Sequence, residues 1–188
     1  MRVFVGINLS QDIKKKIVDL QKEISEIFSK ISIPKVENIH LTFKFLGEIS
    51  EEQCKEFGQN LETILSDKKS FSLQIQNFGV FPNIFHPKIL WIGVEKNNYL
   101  LEIQKDIESL ASKFDVAPEK NFKEHITIAR NKNKINIESF KQLYEKFKDV
   151  VWGNIMVNKI YIIESKLKPA GAEYNILKTI TLGEKTYG

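Results

Sequence analysis

Two short runs carry the same pair of side chains, His40-Leu41-Thr42-Phe43 and His125-Ile126-Thr127-Ile128. The chain has only three histidines in 188 residues, so the appearance of two in one arrangement calls for an explanation. Imidazole changes its charge near pH ~6.5, and two copies can hold opposite protonation states at neutral pH. Such a pair suits cleavage of a phosphodiester by water, where one group takes a proton from the nucleophile and another protonates the leaving oxygen. Period-2 alternation puts each threonine on the same face as its histidine, where a hydroxyl can donate to the non-bridging phosphate oxygens as negative charge builds. The same alternation sets Lys44 beside His40 and Thr42 as a candidate substrate contact, and sends Leu41, Phe43 and Phe45 to the core face. Arg130 offers paired donors that match a phosphate. Strict alternation turns it away from His125, however, so its participation requires a bulge or the strand's end to redirect it.

Other chemistries fit less well. Catalytic zinc takes three protein ligands, and neither motif has a carboxylate at a metal-binding spacing; His86 in a proline-flanked segment is an unsupported third, so no metal is expected. Cys54 is the only cysteine, which rules out an internal disulfide and a multi-cysteine metal site. No G-x-S-x-G elbow and no glycine-rich phosphate loop are present. The net charge of +4 is compatible with a polyanionic partner without demanding one.

The surrounding pattern supplies elements to position these residues. Arg2 to Asn8 alternates as a strand, and Ser10 caps a helix over Asp12 to Phe28 with apolar residues at Ile13, Ile17, Leu20, Ile24 and Ile27. The first histidine strand ends at Gly47, and a second helix opens at Ser50 and runs to about Leu65. Phe71 to Phe78 reads as a strand, Gly79 to Pro87 as a loop, and Lys88 to Val94 as another strand. Helical spacing returns over Tyr99 to Phe114. A connection through Pro118 leads to the second histidine strand, a helix over Glu138 to Lys148, and two final strands over Ile155 to Glu164 and Glu173 to Leu182. One α+β domain over residues 1–188 is expected, with helices covering one side of each sheet and a rough internal duplication. The longest apolar runs are strand-sized, so no membrane span is expected. The opening MRVFVGINLS lacks a secretory pattern, which points to the cytoplasm. No heptads or exposed apolar helix suggest an oligomer, so a monomer is expected.

Beyond the two motifs, MRVFVGINLS, HLTFKFLGEIS, GVFPN, HITIAR and SKLKPAGAEY occur in an order similar to the bacterial and archaeal RNA 2',3'-cyclic phosphodiesterases, also called 2'-5' RNA ligases. These belong to the two-histidine phosphoesterases. The resemblance spans nearly the whole chain and implies a bilobal α+β fold, pseudo-two-fold, with two antiparallel-rich sheets flanking a central groove. It implies His40 as proton donor to the leaving ribose oxygen, His125 as acceptor activating water, Thr42 and Thr127 on the phosphate, and Arg130 as a phosphate ligand. The implied reaction opens an RNA 2',3'-cyclic phosphate to a 2'-phosphomonoester without metal or other cofactor; ATP-independent 2'-5' joining of tRNA halves is its approximate reverse. The second motif continues Ile128-Ala129-Arg130 where the family often has leucine and glycine. Phe81 and Phe85 are candidate stacking surfaces for a terminal base, and Lys132 and Lys134 a track for the RNA backbone. Alternatives are a phosphodiesterase for a small cyclic nucleotide or a 2'-5' oligoadenylate, and a non-catalytic RNA-end binding module.

Overall fold

The computed structural model describes residues 1–120 and 122–184. In chain order the elements are β1 (Arg2–Asn8), α1 (Gln11–Ile27), β2 (Ile31–Ser32), a 3-10 turn (Val36–Asn38), β3 (His40–Glu48), α2 (Glu51–Ile64), β4 (Phe71–Asn83), β5 (His86–Val94), α3 (Asn98–Ser112), β6 (His125–Asn131), α4 (Ile137–Phe147), β7 (Val151–Val157), β8 (Lys159–Lys168) and β9 (Gly171–Thr181). The strands form two antiparallel sheets, one of order β3-β1-β8-β9 and one of order β2-β6-β5-β4-β7. Each histidine opens a strand in a different sheet, His40 in β3 and His125 in β6.

Helix ends follow their caps. Ser10 accepts from the Ile13 N–H, and Ser50 and Gln53 exchange side-chain and backbone bonds in a capping box. The spacing of Ile13, Ile17, Leu20 and Ile24 puts four buried side chains on one face of α1, each contributing about 1.5–3 kcal/mol by burial. α1 and α4 pack against the five-stranded sheet and α2 and α3 against the four-stranded one. Helix α1 follows a strand of one sheet and covers the other, and α3 does the same in reverse, so the two lobes are interlocked. Their opposite faces border the groove between them. No helix among the described residues is long and apolar enough to cross a membrane.

Two expected boundaries differ from the structure. The Gly79 to Pro87 segment is not a loop: β4 continues to Asn83 and β5 begins at His86, leaving a two-residue connection. Gly79 is a close-approach residue rather than a turn former, because a Cβ there would lie 2.1 Å from the Trp91 indole. The expected single strand over Ile155 to Glu164 is two strands. It breaks at Asn158, with β7 on the edge of the five-stranded sheet and β8 inside the four-stranded one. Val157 and Ile160 are both buried with two exposed residues between them, so the alternation changes phase where the chain changes sheet.

Candidate active site

Both histidine strands contain the same irregularity. Val5 of β1 pairs with Lys44 and Gly6 with Thr42, which leaves Phe43 as an extra residue in β3. Leu90 of β5 pairs with Ala129 and Trp91 with Thr127, which leaves Ile128 as the extra residue in β6. One inserted residue reverses the parity of everything after it. Phe43 and Lys44 are therefore both buried, as are Ile128 and Ala129, while the next residue of each strand, Phe45 and Arg130, is exposed. The bulge that Arg130 needed is present, and Arg130 lines the groove with His125 and Thr127.

The same device overturns two placements made by simple alternation. Lys44 goes to the buried side of β3 while still bordering the groove, and its ammonium lies 2.7 Å from Glu108 Oε1 and donates to the Ala117 carbonyl at 2.7 Å. Phe45, expected in the core, is 66% exposed and lines the groove at the position that Arg130 holds in the other lobe. Phe45 opens a lateral apolar row, Phe45-Phe4-Ile163-Ile176, across the four strands of its sheet.

Each imidazole is held by the same bond. His40 Nδ1 meets the carbonyl of Asn38 and His125 Nδ1 that of Lys123 at 2.7 Å, in both cases two residues upstream. A carbonyl only accepts, so each Nδ1 carries its hydrogen and each Nε2 is the atom left for chemistry. His40 Nε2 lies 2.9 Å from Thr42 Oγ1, which donates to it while the ring is neutral.

The two rings sit in different surroundings. His40 stacks on Phe4, with centroids 4.6 Å apart, and meets the edge of Tyr174 at 5.2 Å. Burial pushes its pKa down to about 4; the bond to Asn38 opposes this, and the Lys14 ammonium adds to it. His125 is bordered by the edge of Phe81 at 5.2 Å and by Trp91 at 6.5 Å. Tyr174 has its phenol pKa raised by burial, against the pull of Arg130 and Arg2.

The two sets of side chains meet in one groove of about 1080 Å³, lined by His40, Thr42, Phe45, Phe81, His125, Thr127, Arg130 and Tyr174. Phe81 thus belongs to the groove, with the Lys123 ammonium 5.0 Å above its ring. Phe85 does not: it is 57% exposed at the β4–β5 turn, under Lys141. Lys132 and Lys134 also lie outside the groove lining. Among the described residues no three His, Cys, Asp or Glu side chains cluster as metal ligands would. Sequence reasoning missed Phe45, Phe4 and Tyr174 as parts of the site, although Tyr174 ends the quoted SKLKPAGAEY run.

Gly6 sits beneath the His40 ring. A Cβ there would lie 2.7 Å from the Leu41 carbonyl oxygen and 3.2 Å from His40 Cδ2. Gly6→Ala is expected to destabilise the protein by about 1–3 kcal/mol through overpacking. It should also lower turnover about tenfold or more, since a misplacement on the order of 1 Å costs up to ~100-fold. Denaturant unfolding and steady-state kinetics on the variant measure the two effects.

The His40 shift also predicts how stability responds to acid. The unfolded chain takes up the proton near pH ~6.5, the folded protein only near 4, so the unfolded state binds more protons between these values. Stability from this group is complete above pH ~6.5 and is lost as pH falls toward 4, up to about 3 kcal/mol. Denaturant unfolding at pH 7 and pH 4.5 should show a larger loss for the wild type than for His40→Gln; equal losses would remove the assignment.

Comparison with known proteins gives the family and the fold. The family model described as LigT like Phosphoesterase matches the chain twice, over residues 7–91 and 92–174, with one histidine motif in each match. An RNA 2',3'-cyclic phosphodiesterase of Aquifex aeolicus is 34% identical over 97% of this chain and 98% of its own length. Its namesake in Methanocaldococcus jannaschii is 34% identical over 95% of this chain and 99% of its own. Among solved structures, TT0787 of Thermus thermophilus superposes with a TM-score of 0.83 at 23% identity, covering 99% of this chain and 100% of that one. E. coli LigT complexed with 3'-AMP superposes with a TM-score of 0.76 at 21% identity, covering 96% and 97%. By its paired motifs, their duplicated setting and the fold that joins them, the chain belongs to the LigT-like phosphoesterase family.

Proposed function

We propose that this chain hydrolyses RNA 2',3'-cyclic phosphate ends to 2'-phosphomonoesters, with His40 as proton donor and His125 as proton acceptor. The observation that carries the reading is the pair of imidazoles, each fixed through Nδ1 to the backbone and each set on a bulged strand bordering one groove. The full-length relatives named RNA 2',3'-cyclic phosphodiesterase support the substrate class.

In the proposed step, water attacks phosphorus in line opposite the ribose 3' oxygen, and His125 Nε2 takes its proton. The P–O3' bond breaks, His40 Nε2–H protonates the departing 3' oxygen, and the products are a 2'-phosphate and a 3'-hydroxyl. Thr42, Thr127 and Arg130 donate to the non-bridging oxygens as their charge grows. The two bulged strands support this division of roles. Phe45 shares a lobe with His40 and offers a stacking face to the terminal base, which sets the ribose and its leaving oxygen on that side. Arg130 shares a lobe with His125 and draws the phosphate and the attacking water to the other.

His40 is neutral in the free protein at pH 7, since its pKa is about 4. A phosphate anion between the rings favours the imidazolium, and Thr42 then turns its hydroxyl from Nε2 to a phosphate oxygen. Both proton transfers use imidazole, so the scheme calls for no metal or other cofactor. In the same reading the chain acts as a cytoplasmic monomer on RNA ends, tRNA halves among them. A ribose hydroxyl in place of water gives 2'-5' joining.

The test is hydrolysis of an RNA oligonucleotide ending in a 2',3'-cyclic phosphate, with EDTA present and the product assigned as 2'- or 3'-phosphate. Turnover to the 2'-phosphate is expected. A 3'-phosphate product, or turnover confined to a mononucleotide cyclic phosphate or a 2'-5' oligoadenylate, overturns the RNA-end reading. Binding of the oligonucleotide without turnover makes the chain an RNA-end binding module.

A further inference from the structure

The wall of the groove beside Phe45 is made by residues 114–119, the connection that leaves α3 and crosses toward β6. It is an irregular segment. Asp115 has a positive φ of 59°, and the backbone amides of Phe114 and Val116 return to the Ala111 carbonyl. Beyond Val116, two bonds to side chains hold the segment in place. The Ala117 carbonyl accepts from Lys44 Nζ at 2.7 Å, and the Glu119 N–H donates to Glu108 Oε1 at 2.8 Å. Those two side chains are bonded to each other at 2.7 Å, and Gln104 donates to the other Glu108 oxygen at 3.3 Å. The Lys44 side chain is only 5% exposed.

We propose that Lys44 and Glu108 form a positioning pair that fixes the 115–119 wall of the groove against the bulge of β3, and so set the shape of the subsite beside Phe45. The bulge explains the choice of residues. The inserted Phe43 turns residue 44 into the buried layer at the edge of the groove, and a long cationic side chain there reaches the crossing segment. Ala129, the equivalent residue in the other lobe, is buried and small, and the connection that leaves α1 is held there by β2 pairing with β6 instead of by a side-chain tie. An ion pair buried at its lysine and partly buried at its glutamate adds little net stability against a hydrophobic replacement of similar volume, so its use lies in fixing a geometry. Lys44 acts through the wall and not on the phosphate.

The inference rests on the RNA-end reading only for its kinetic arm. Three variants test it: Lys44→Met, Glu108→Leu, and the double. Glu108→Leu leaves the buried ammonium without its ionic partner and Lys44→Met does the same to a partly buried carboxylate, so both are expected to unfold more easily, whereas the double variant replaces both charges with apolar groups and recovers stability. Amide hydrogen exchange at Glu119 in the ligand-free protein should accelerate at least tenfold in the double variant despite that recovery. With a cyclic-phosphate RNA, KM should rise about tenfold in all three while kcat stays within about threefold, and the effects of the two substitutions should not add.

Unchanged exchange at Glu119 and unchanged KM in the folded double variant overturn the proposal. So does a fall in kcat for Lys44→Met that Glu108→Leu does not share, since that outcome makes Lys44 a direct phosphate contact. If the wild type fails to turn over the RNA but exchange at Glu119 responds as expected, the pair still positions the wall and the substrate reading alone is at fault.

Discussion

His40→Ala and His125→Ala should each lower kcat/KM on a cyclic-phosphate RNA by about 10³-fold, within the range that a positioned general acid or base supplies. Loss of activity alone does not separate the two roles. A change of leaving group does. On an adenosine 2'-phosphodiester of 4-nitrophenol the phenolate departs without a proton, so the general acid has nothing to do. His40→Ala should then lose no more than about tenfold, because its remaining contribution is packing against Phe4 and the loss of the Thr42 bond. His125→Ala should keep its full defect on both substrates, since water still has to be deprotonated. Equal defects for the two variants on the aryl ester sink the assignment, and a rescue of His125→Ala in place of His40→Ala reverses it. In the proposed reading the lobe partners set the expected direction, with Phe45 on the His40 side taking the nucleoside and Arg130 on the His125 side the phosphate.

Much of this arrangement was legible in the residues, because it depends on short-range pattern. Alternation identified the groove faces of His40, Thr42, His125 and Thr127, and Ser10 and Ser50 located two helix starts to within a residue. The failures share a cause. A bulge arises from pairing, where Val5 opposes two residues of β3, and nothing within the HLTFKF window reports which strand lies opposite. The signal was in the comparison of the two motifs. Arg130 needed a bulge to reach the groove, and an internal repeat implies the same bulge after Thr42. That sends Lys44 inward and Phe45 outward. The β4–β5 hairpin was hidden because Gly79, Pro82 and Pro87 read locally as turn formers, whereas Gly79 serves an indole lying across it. Tyr174 reaches His40 from the opposite edge strand of the four-stranded sheet, three positions away, a contact set by topology alone.

Arg130→Met should lower kcat/KM by about 10²–10³-fold, the loss typical of removing a preorganised donor from developing charge. Arg130 is exposed and carries none of the core, so unfolding free energy should stay within about 0.5 kcal/mol of the wild type. That separates a chemical defect from a folding one. Arg130→Lys keeps the charge but presents a point ammonium in place of two parallel donors, and should recover only part of the loss. The position depends on Ile128 as much as on the guanidinium, since without the inserted residue the side chain would turn into the layer that holds Ala129. Deleting Ile128 should therefore cost activity as Arg130→Met does and cost stability as well. The salt dependence of RNA binding gives a third readout: one phosphate contact fewer should reduce the slope of log K against log salt by about 0.7 for a single strand. An Arg130→Met enzyme with kcat/KM within fivefold of the wild type would remove Arg130 from the phosphate site and leave the two threonines to hold the developing charge.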